Sequence, residues 1–376
     1  MNTHTLDTSL PLRAAPHAHD RSSVDRIMLR VCLALSPATA WGLYLFGWPA
    51  ILLFVITLLA ALATEALCLW LADQPLRRVL DGSALLTGWL YAATLPPWAP
   101  WWIGAGGVAF GLIVGKHLYG GIGQNLFNPA MLARVAVLIS FPVPLTTWVT
   151  PLPLGSELAP GLLDSLAIVF ANADYAAHIS APPAGVDALT GASWLGASKV
   201  AVGAGTDIGA WLASDFPLIA ASTGQIRGSL GETSALLILA GGLWLIWSRV
   251  ISWHIPVAML GMLSLCAWLA SHFNSHLYPG VLFQLTTGAA MLGAFFIATD
   301  YVTSPAAAAG KLLFGAGCGF VLFAIRSWSS FPEGVAFAVL FMNALTPLID
   351  RFLKPRAYGR TLSGQTLKHS DMRKIV

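Results

Sequence analysis

Apolar runs of about 20 residues recur along this chain, and each is long enough to cross the roughly 30 Å hydrocarbon core of a bilayer as one helix. In that solvent every backbone N–H and C=O must be satisfied internally, so a chain with many such runs is confined to a bundle of helices. The composition agrees: 56% of residues are hydrophobic and only 10% charged, against roughly 25% charged in a soluble domain. The pattern predicts an all-α polytopic membrane protein of about ten transmembrane helices. They fall near 28–46, 48–72, 82–96, 99–116, 126–142, 231–248, 255–270, 279–299, 310–326 and 333–350. Residues 1–27 are polar and the first apolar run passes directly into a second, so it reads as a true span rather than a cleaved leader.

Lys and Arg concentrate on cytoplasmic flanks. With the N-terminus inside, only Lys199, Arg227 and Arg326 of the 20 basic residues fall outside, and Arg134 counts as a cytoplasmic flank. Both termini are then cytoplasmic. The chain divides into a tail at 1–27, a five-helix half at 28–142, a long extracytoplasmic loop at 143–230, a second five-helix half at 231–350 and a tail at 351–376. An odd number of spans before the loop makes the two halves inverted. A weak echo supports this: Leu85-Leu-Thr-Gly88 and Leu285-Thr-Thr-Gly288 each sit in the third span of their half, followed by Leu95-Pro-Pro97 and by Asp300-Tyr-Val-Thr-Ser-Pro305. Gly- and Pro-interrupted spans at matching positions point to broken helices around a midplane site.

Several classes are excluded. The basic residues are dispersed at span ends, which argues against nucleic acid as a partner. Cys32, Cys68, Cys266 and Cys318 form no Cys-x-x-Cys pattern, so iron–sulfur ligation, c-type haem and a disulfide framework are not expected. The nine histidines lack metal-ligand spacing, and His272 and His276 read as a polar turn, so no metal is expected. No Gly-x-Gly-x-x-Gly opens a βαβ unit, which argues against direct NAD binding. No catalytic set is visible in the chain itself.

A loop as long as 143–230 is usually functional. Its apolar stretches at 161–170 and 208–213 are too short to span and read as interfacial or packing helices. Within it, Asp187-Ala-Leu-Thr-Gly-Ala-Ser193 resembles the acceptor motif on which flavin transferases place FMN through a phosphoester. Ser193 supplies the attacking hydroxyl. Gly191 and Ala192 keep the backbone accessible beside Thr190, and Asp187 is placed to bind a metal or orient the acceptor. A hydroxyl is a weak nucleophile at its own pKa, so the transferase must activate it. The same residues also suit an ordinary loop turn.

Four further segments are too polar for filler. In Gly115-Lys-His-Leu-Tyr-Gly-Gly-Ile-Gly-Gln-Asn-Leu-Phe-Asn-Pro-Ala130, glycines permit close backbone approach, and Asn125 and Asn128 stand about one helical turn apart. They fit a ligand site and a capped re-entrant turn equally. Asp81 and Asp300 lie at membrane boundaries, where a charge is paired, hydrated or functional, although Asp81 and Thr303 are also ordinary N-cap types. Glu333 opens the last span, where the helix dipole alone favours it, and Asn343 and Asp350 follow. Asp81, Asp300, Glu333 and Asp350 are the candidate ion-coupling carboxylates.

With these residues in view, the chain resembles the D-subunit family of Rnf electron-transport complexes, itself similar to the B subunit of sodium-pumping NADH:quinone reductases. The carriers are Asp81–Gly88, the Gly-Gly-x-Gly-x-Asn-x-Phe-Asn-Pro-Ala block at 120–130, Asp187–Ser193, Ala298–Pro305 and Pro332–Phe337 with Asn343. The resemblance implies a bacterial inner-membrane component of a translocase coupling electron transfer between ferredoxin and NAD to Na⁺ or H⁺ movement. It implies one covalent FMN on the extracytoplasmic side and a second, non-covalent, riboflavin-like flavin in the bundle, for which Asn125 and Asn128 are the candidates. It also implies the partners: other Rnf subunits, among them an extracytoplasmic FMN-carrying one, and a flavin transferase. One residue departs from the family: the acceptor there is usually threonine, here Ser193. The alternatives are a B-type quinone-reductase subunit and a solute channel or carrier built from inverted repeats.

Overall fold

The computed structural model describes residues 23–171 and 190–354. The remaining tail residues and Asp187 of the acceptor motif lie outside the described residues. The first apolar stretch forms α1 (Val24–Leu71), broken at Gly47, whose φ of 72° and ψ of −157° are a glycine conformation. Pro49 follows, where the next helix begins and needs no N–H. Val24 and Asp25 line the same cavity as Glu65, Leu69 and Ala72, so the two ends of α1 lie together and Gly47 is a hairpin tip. One 48-residue stretch thus supplies the first two expected spans. Pro37 deprives the Leu33 carbonyl of its donor, and the Ser36 hydroxyl donates to it instead, at 2.8 Å.

A 3₁₀ turn (Leu76–Asp81) leads through Gly82, at φ 80°, into α2 (Ser83–Ala93). Its 11 residues reach about 17 Å, short of the bilayer core. Then come α3 (Trp101–Gly115), α4 (Pro129–Ser140) and the single turn α5 (Pro142–Thr146). Small residues set the spacing, as expected where lipid gives no hydrophobic force between helices. A Cβ on Gly104 would collide with Thr57 Oγ1, and one on Gly88 would lie 2.8 Å from Ala61. The Tyr91 hydroxyl, wholly buried, donates to the Ile103 carbonyl at 2.9 Å. Trp89 Nε1 donates to Thr39 Oγ1 at 2.9 Å, tying α2 to the first arm of α1.

Gly104→Ala is expected to lower stability by about 1–3 kcal/mol through overpacking. Gly106→Ala, whose new methyl meets nothing within 4 Å, is expected to be neutral or stabilising by helix propensity. Thermal unfolding in detergent separates the pair; equal losses would contradict the packing account.

In the loop, β1 (Trp148–Val149) pairs antiparallel with β2 (Thr190–Gly191), Trp148 opposite Gly191. This two-residue ladder is the one departure from an all-helical chain among the described residues. The two apolar stretches are helices, α6 (Leu162–Ala171) and α8 (Ile208–Asp215), with α7 (Trp194–Gly203) and α9 (Leu218–Thr223) beside them. His276 Nδ1 lies 2.6 Å from Asp207 Oδ2, so this histidine ties α8 to the bundle. The Asp207 carboxyl is held below its usual range by the Ala210 N–H and by His276.

The second half comprises α10 (Ala235–Trp247), α11 (His254–Phe273), the broken pair α12 (Val281–Thr286) and α13 (Ala290–Leu292) with a π turn to Ile297, then α14 (Ala308–Trp328) and α15 (Val335–Phe352). Close packing again falls on glycines: Gly315 against Ile255 and Ala258, Gly319 against Met259, Gly317 against Met342. By length and composition, α1, α11, α14 and α15 are apolar enough to span a membrane, and shorter apolar helices fill the remaining segments. The chain is a multi-pass membrane protein.

The sequence echo is out of phase with the backbone. Gly88 sits inside α2, whereas Gly288, at φ 64°, is the break between α12 and α13. Gly82, also at positive φ, opens the short helix of the first half. Sequence similarity follows Thr-Gly packing pairs; the backbone requirement is a glycine at positive φ.

Candidate functional site

Ser193 is the N-cap of α7: its Oγ accepts from the Gly196 N–H at 3.3 Å. The half-buried hydroxyl lies on a cleft of about 40 Å³ lined by Arg134, Trp148, Trp194, Arg227, Glu232, Thr233, Thr287, Gly288 and Glu333, among others. A helix N-terminus presents free N–H groups and a positive dipole end, which suits a phosphate. Cap acceptance uses only lone pairs, so an esterified oxygen can keep the Gly196 bond. Gly191 is small for a reason the motif does not disclose: a Cβ there would lie 2.7 Å from the Arg227 guanidinium. Arg227 also donates through Nε to Thr150 at 2.9 Å. Ala192 is exposed beside it, and Thr190 is held in the ladder opposite Val149.

Lys199, on α7, donates to the carbonyls of Ile325 (3.1 Å), Ser329 (2.5 Å) and Phe331 (2.6 Å). A cation at the end of α14 meets the Ser329 and Phe331 carbonyls beyond the last helical bond and shares the Ile325 carbonyl with the Ser329 N–H, and so docks the acceptor helix on the bundle. Burial pushes the Lys199 ammonium below its usual pKa, with the Glu333 charge opposing. Lys199→Met is expected to cost about 1.5–3 kcal/mol and to raise protease cleavage between β2 and α8; an unchanged cleavage pattern would contradict the docking role.

Arg134 is misplaced by the charge count. It lies within α4, 7% exposed, in the same cleft as Ser193, and its Nη1 is buried without a hydrogen-bond partner. It therefore belongs to neither flank. The expected span 126–142 already encloses Arg134, and α4 keeps it inside. Glu333 is tied to the same region: Oε2 accepts from Arg326 Nη2 (2.9 Å) and the Ala289 N–H (3.0 Å), and Oε1 from the Gly334 and Val335 N–H groups. Arg326 also donates to the Gln284 and Thr287 carbonyls.

At the opposite end, a second cleft of about 100 Å³ gathers Ser83, Thr87, Lys116, Asn125, Asn128, Phe295, Phe296 and Asp300. Three of the five sequence blocks, far apart in the chain, meet here. Asn128 Oδ1 caps α4 by accepting from Ala130 and Met131 N–H, and Asn125 Nδ2 donates to the Phe127 carbonyl at 3.2 Å. The capped turn is therefore real, and both amides also face the cleft. Gly120, Gly121 and Gly123 all have positive φ, the backbone reason for that run.

The four candidate carboxylates do not converge. Asp81 Oδ1 accepts from Ser83 N and Oγ, Asp300 from Val302 N and Thr303 Oγ1, and Asp350 from Ala306 N. Asp300 borders the second cleft, Glu333 the Ser193 cleft, and Asp350 the far end of α15. Sequence reasoning missed Glu65, 2% exposed, which accepts from Lys116 Nζ at 2.6 Å and meets His117 Nε2 at 2.8 Å. Lys116 donates onward to Ser83 Oγ at 2.7 Å. A carboxylate inside an apolar run (Ala63-Thr-Glu-Ala-Leu67) was the available signal. No cluster with metal-ligand character occurs among the described residues.

The family model for NQR2, RnfD, RnfE matches residues 12–359. Similar curated proteins are D subunits of ion-translocating oxidoreductase complexes. That of Stutzerimonas stutzeri is 57% identical over 347 residues, covering 92% of this chain and 95% of that protein. The corresponding protein of Halorhodospira halophila is 47% identical over 358 residues, covering 95% and 97%. That of Escherichia fergusonii is 40% identical over 350 residues, covering 93% and 98%.

Proposed function

Since the chain belongs to the NQR2, RnfD, RnfE family, we propose that it is the subunit of an ion-translocating oxidoreductase complex that carries FMN covalently on Ser193 and relays electrons through it. The carrying observation is the Ser193 hydroxyl, at the N-cap of α7 and on the rim of a cleft that holds a buried, unpartnered arginine. A buried cation with a free N–H, in the same cleft as a helix N-terminus, suits a phosphoester and the carbonyl acceptors of a flavin ring. Bound there, FMN supplies one-electron exchange; the chain supplies position, charge and shielding from water. Ser193 bears the link, the α7 N-terminus faces its phosphate, and Trp148 and Trp194 offer apolar faces.

The loop from 143 to 230 lies outside the inner membrane and both termini in the cytoplasm, so Ser193 faces an extracytoplasmic flavoprotein of the complex. The halves 28–142 and 231–350 are inverted repeats; Gly82 and Gly288 open matching short helices in support. The second cleft holds a non-covalent flavin against Asn125 and Asn128. Asp300, on its edge, is the carboxylate best placed for Na⁺ or H⁺ coupling, which requires an ion affinity that differs between two states. Asp81, Glu333 and Asp350 are committed to helix ends and chain crossings. A plain carrier would need neither the acceptor nor the unpaired arginine.

Acid precipitation of the chain, co-produced with a flavin transferase and its complex, tests this. One flavin is expected to stay in the washed pellet while further flavin is released. A colourless pellet overturns the covalent assignment.

A further inference from the structure

The floor of the Ser193 cleft is polar and its flanks are apolar. Arg134 Nη1 and Thr233 Oγ1 are both buried there without hydrogen-bond partners. Leaving a buried guanidinium N–H without an acceptor is costly. The charges of Glu232 and Glu333 lie near enough to offset that of Arg134 in part, but neither supplies Nη1 with an acceptor: both Glu333 oxygens are engaged by Arg326 and by backbone N–H groups, and among the described residues no hydrogen bond joins Glu232 to Arg134. Trp148, Trp194, Leu195 and Ile226 form the flanks. At about 40 Å³ the cleft admits an edge of a flavin ring rather than all of it.

A flavin has two unlike edges. The pyrimidine edge carries carbonyl acceptors, which match an arginine's donors; the dimethylbenzene edge carries none. We propose that Arg134 receives the pyrimidine edge of the ring tethered to Ser193, which turns the dimethylbenzene edge outward toward the electron partner, and that its charge favours electron uptake by the ring. The inference rests on the reading that Ser193 carries FMN.

One electron from a one-electron donor, a partner flavin or dithionite in a titration, adds one negative charge to the ring and needs no proton. Arg134 faces that charge from a fixed position and stays protonated throughout, so no proton transfer has to accompany the step. Arg134 is in this sense a positioning and potential-setting residue.

The test uses the full chain in detergent, co-produced with a flavin transferase, as wild type, Arg134→Gln and Arg134→Lys. Flavin fluorescence of the denatured band reports loading, and an anaerobic potentiometric titration reports the ring. Arg134→Gln is expected to load normally. Poised at the wild-type midpoint, its reduced-to-oxidised ratio is expected to fall about tenfold, or about 59 mV for a one-electron couple. Arg134→Lys, which keeps the charge, is expected to retain most of the wild-type ratio. A loaded Arg134→Gln with the wild-type ratio overturns the inference and leaves the Ser193 assignment standing. If Arg134→Gln does not accumulate, Arg134→Lys decides: a tenfold fall there overturns the charge account. A dark wild-type band overturns the parent reading, and this inference with it.

Discussion

Ser193→Ala is expected to abolish covalent flavin completely while the chain still inserts and folds. In-gel fluorescence of the denatured protein should vanish, and the intact mass should fall by one FMN residue relative to wild type. The loss is total because the link needs an oxygen at that position, at the end of α7 and on its cleft. The structural cost is small by comparison. Alanine removes the acceptor for the Gly196 N–H, worth about 1 kcal/mol for an N-cap. The acceptor helix stays anchored through Lys199 and the carbonyls of Ile325, Ser329 and Phe331. Ser193→Thr should keep the fluorescence, since it offers the same oxygen and a comparable cap. A fluorescent Ser193→Ala band would move the link elsewhere.

Arg326→Met is expected to be the most destabilising change in the second half, by about 3–5 kcal/mol. Arg326 is 5% exposed and donates to Gln284 O (2.7 Å), Gln284 Oε1 (3.0 Å), Thr287 O (2.9 Å) and Glu333 Oε2 (2.9 Å). Three of these bonds hold the end of α12 just before the break at Gly288. The fourth pairs a carboxylate that also fixes the Ala289 N–H and caps α15. Removing the guanidinium therefore strips acceptors at the break of their donor and leaves Glu333 without its cation. Glu333→Gln is expected to cost less, because Arg326 keeps three acceptors and the amide can still accept. Unfolding of both single variants and the double variant in detergent measures the coupling. Additive losses would show that the pair does not act as a unit.

The membrane character and the long apolar helices are legible in the sequence because bilayer thickness demands long apolar runs, and the Gly47 break falls at the expected boundary between 46 and 48. The acceptor motif and the glycine–asparagine block are legible as local patterns. What the blocks do together is not. The second cleft joins Ser83, Asn125 and Asp300, and no local rule pairs residues so far apart. Arg134 counts with the cytoplasmic flanks although it falls within the expected span 126–142, and sequence does not show which side of a short helix is buried. Glu65 and Lys116 go unpaired in sequence because their bond spans 51 positions, and no local pattern joins them. The Thr-Gly pairs do not mark the breaks by themselves, because Thr-Gly serves both packing and breaks and only φ distinguishes them.

The central claim is a phosphoester on one named oxygen. Digestion of the purified, flavin-loaded chain followed by tandem mass spectrometry of the peptide containing Thr190, Ser193 and Ser198 tests it most directly. The account predicts the FMN mass on fragments that contain Ser193 and on none that contain Thr190 or Ser198 without it. An unmodified Ser193 in a chain that carries FMN at another residue would contradict it.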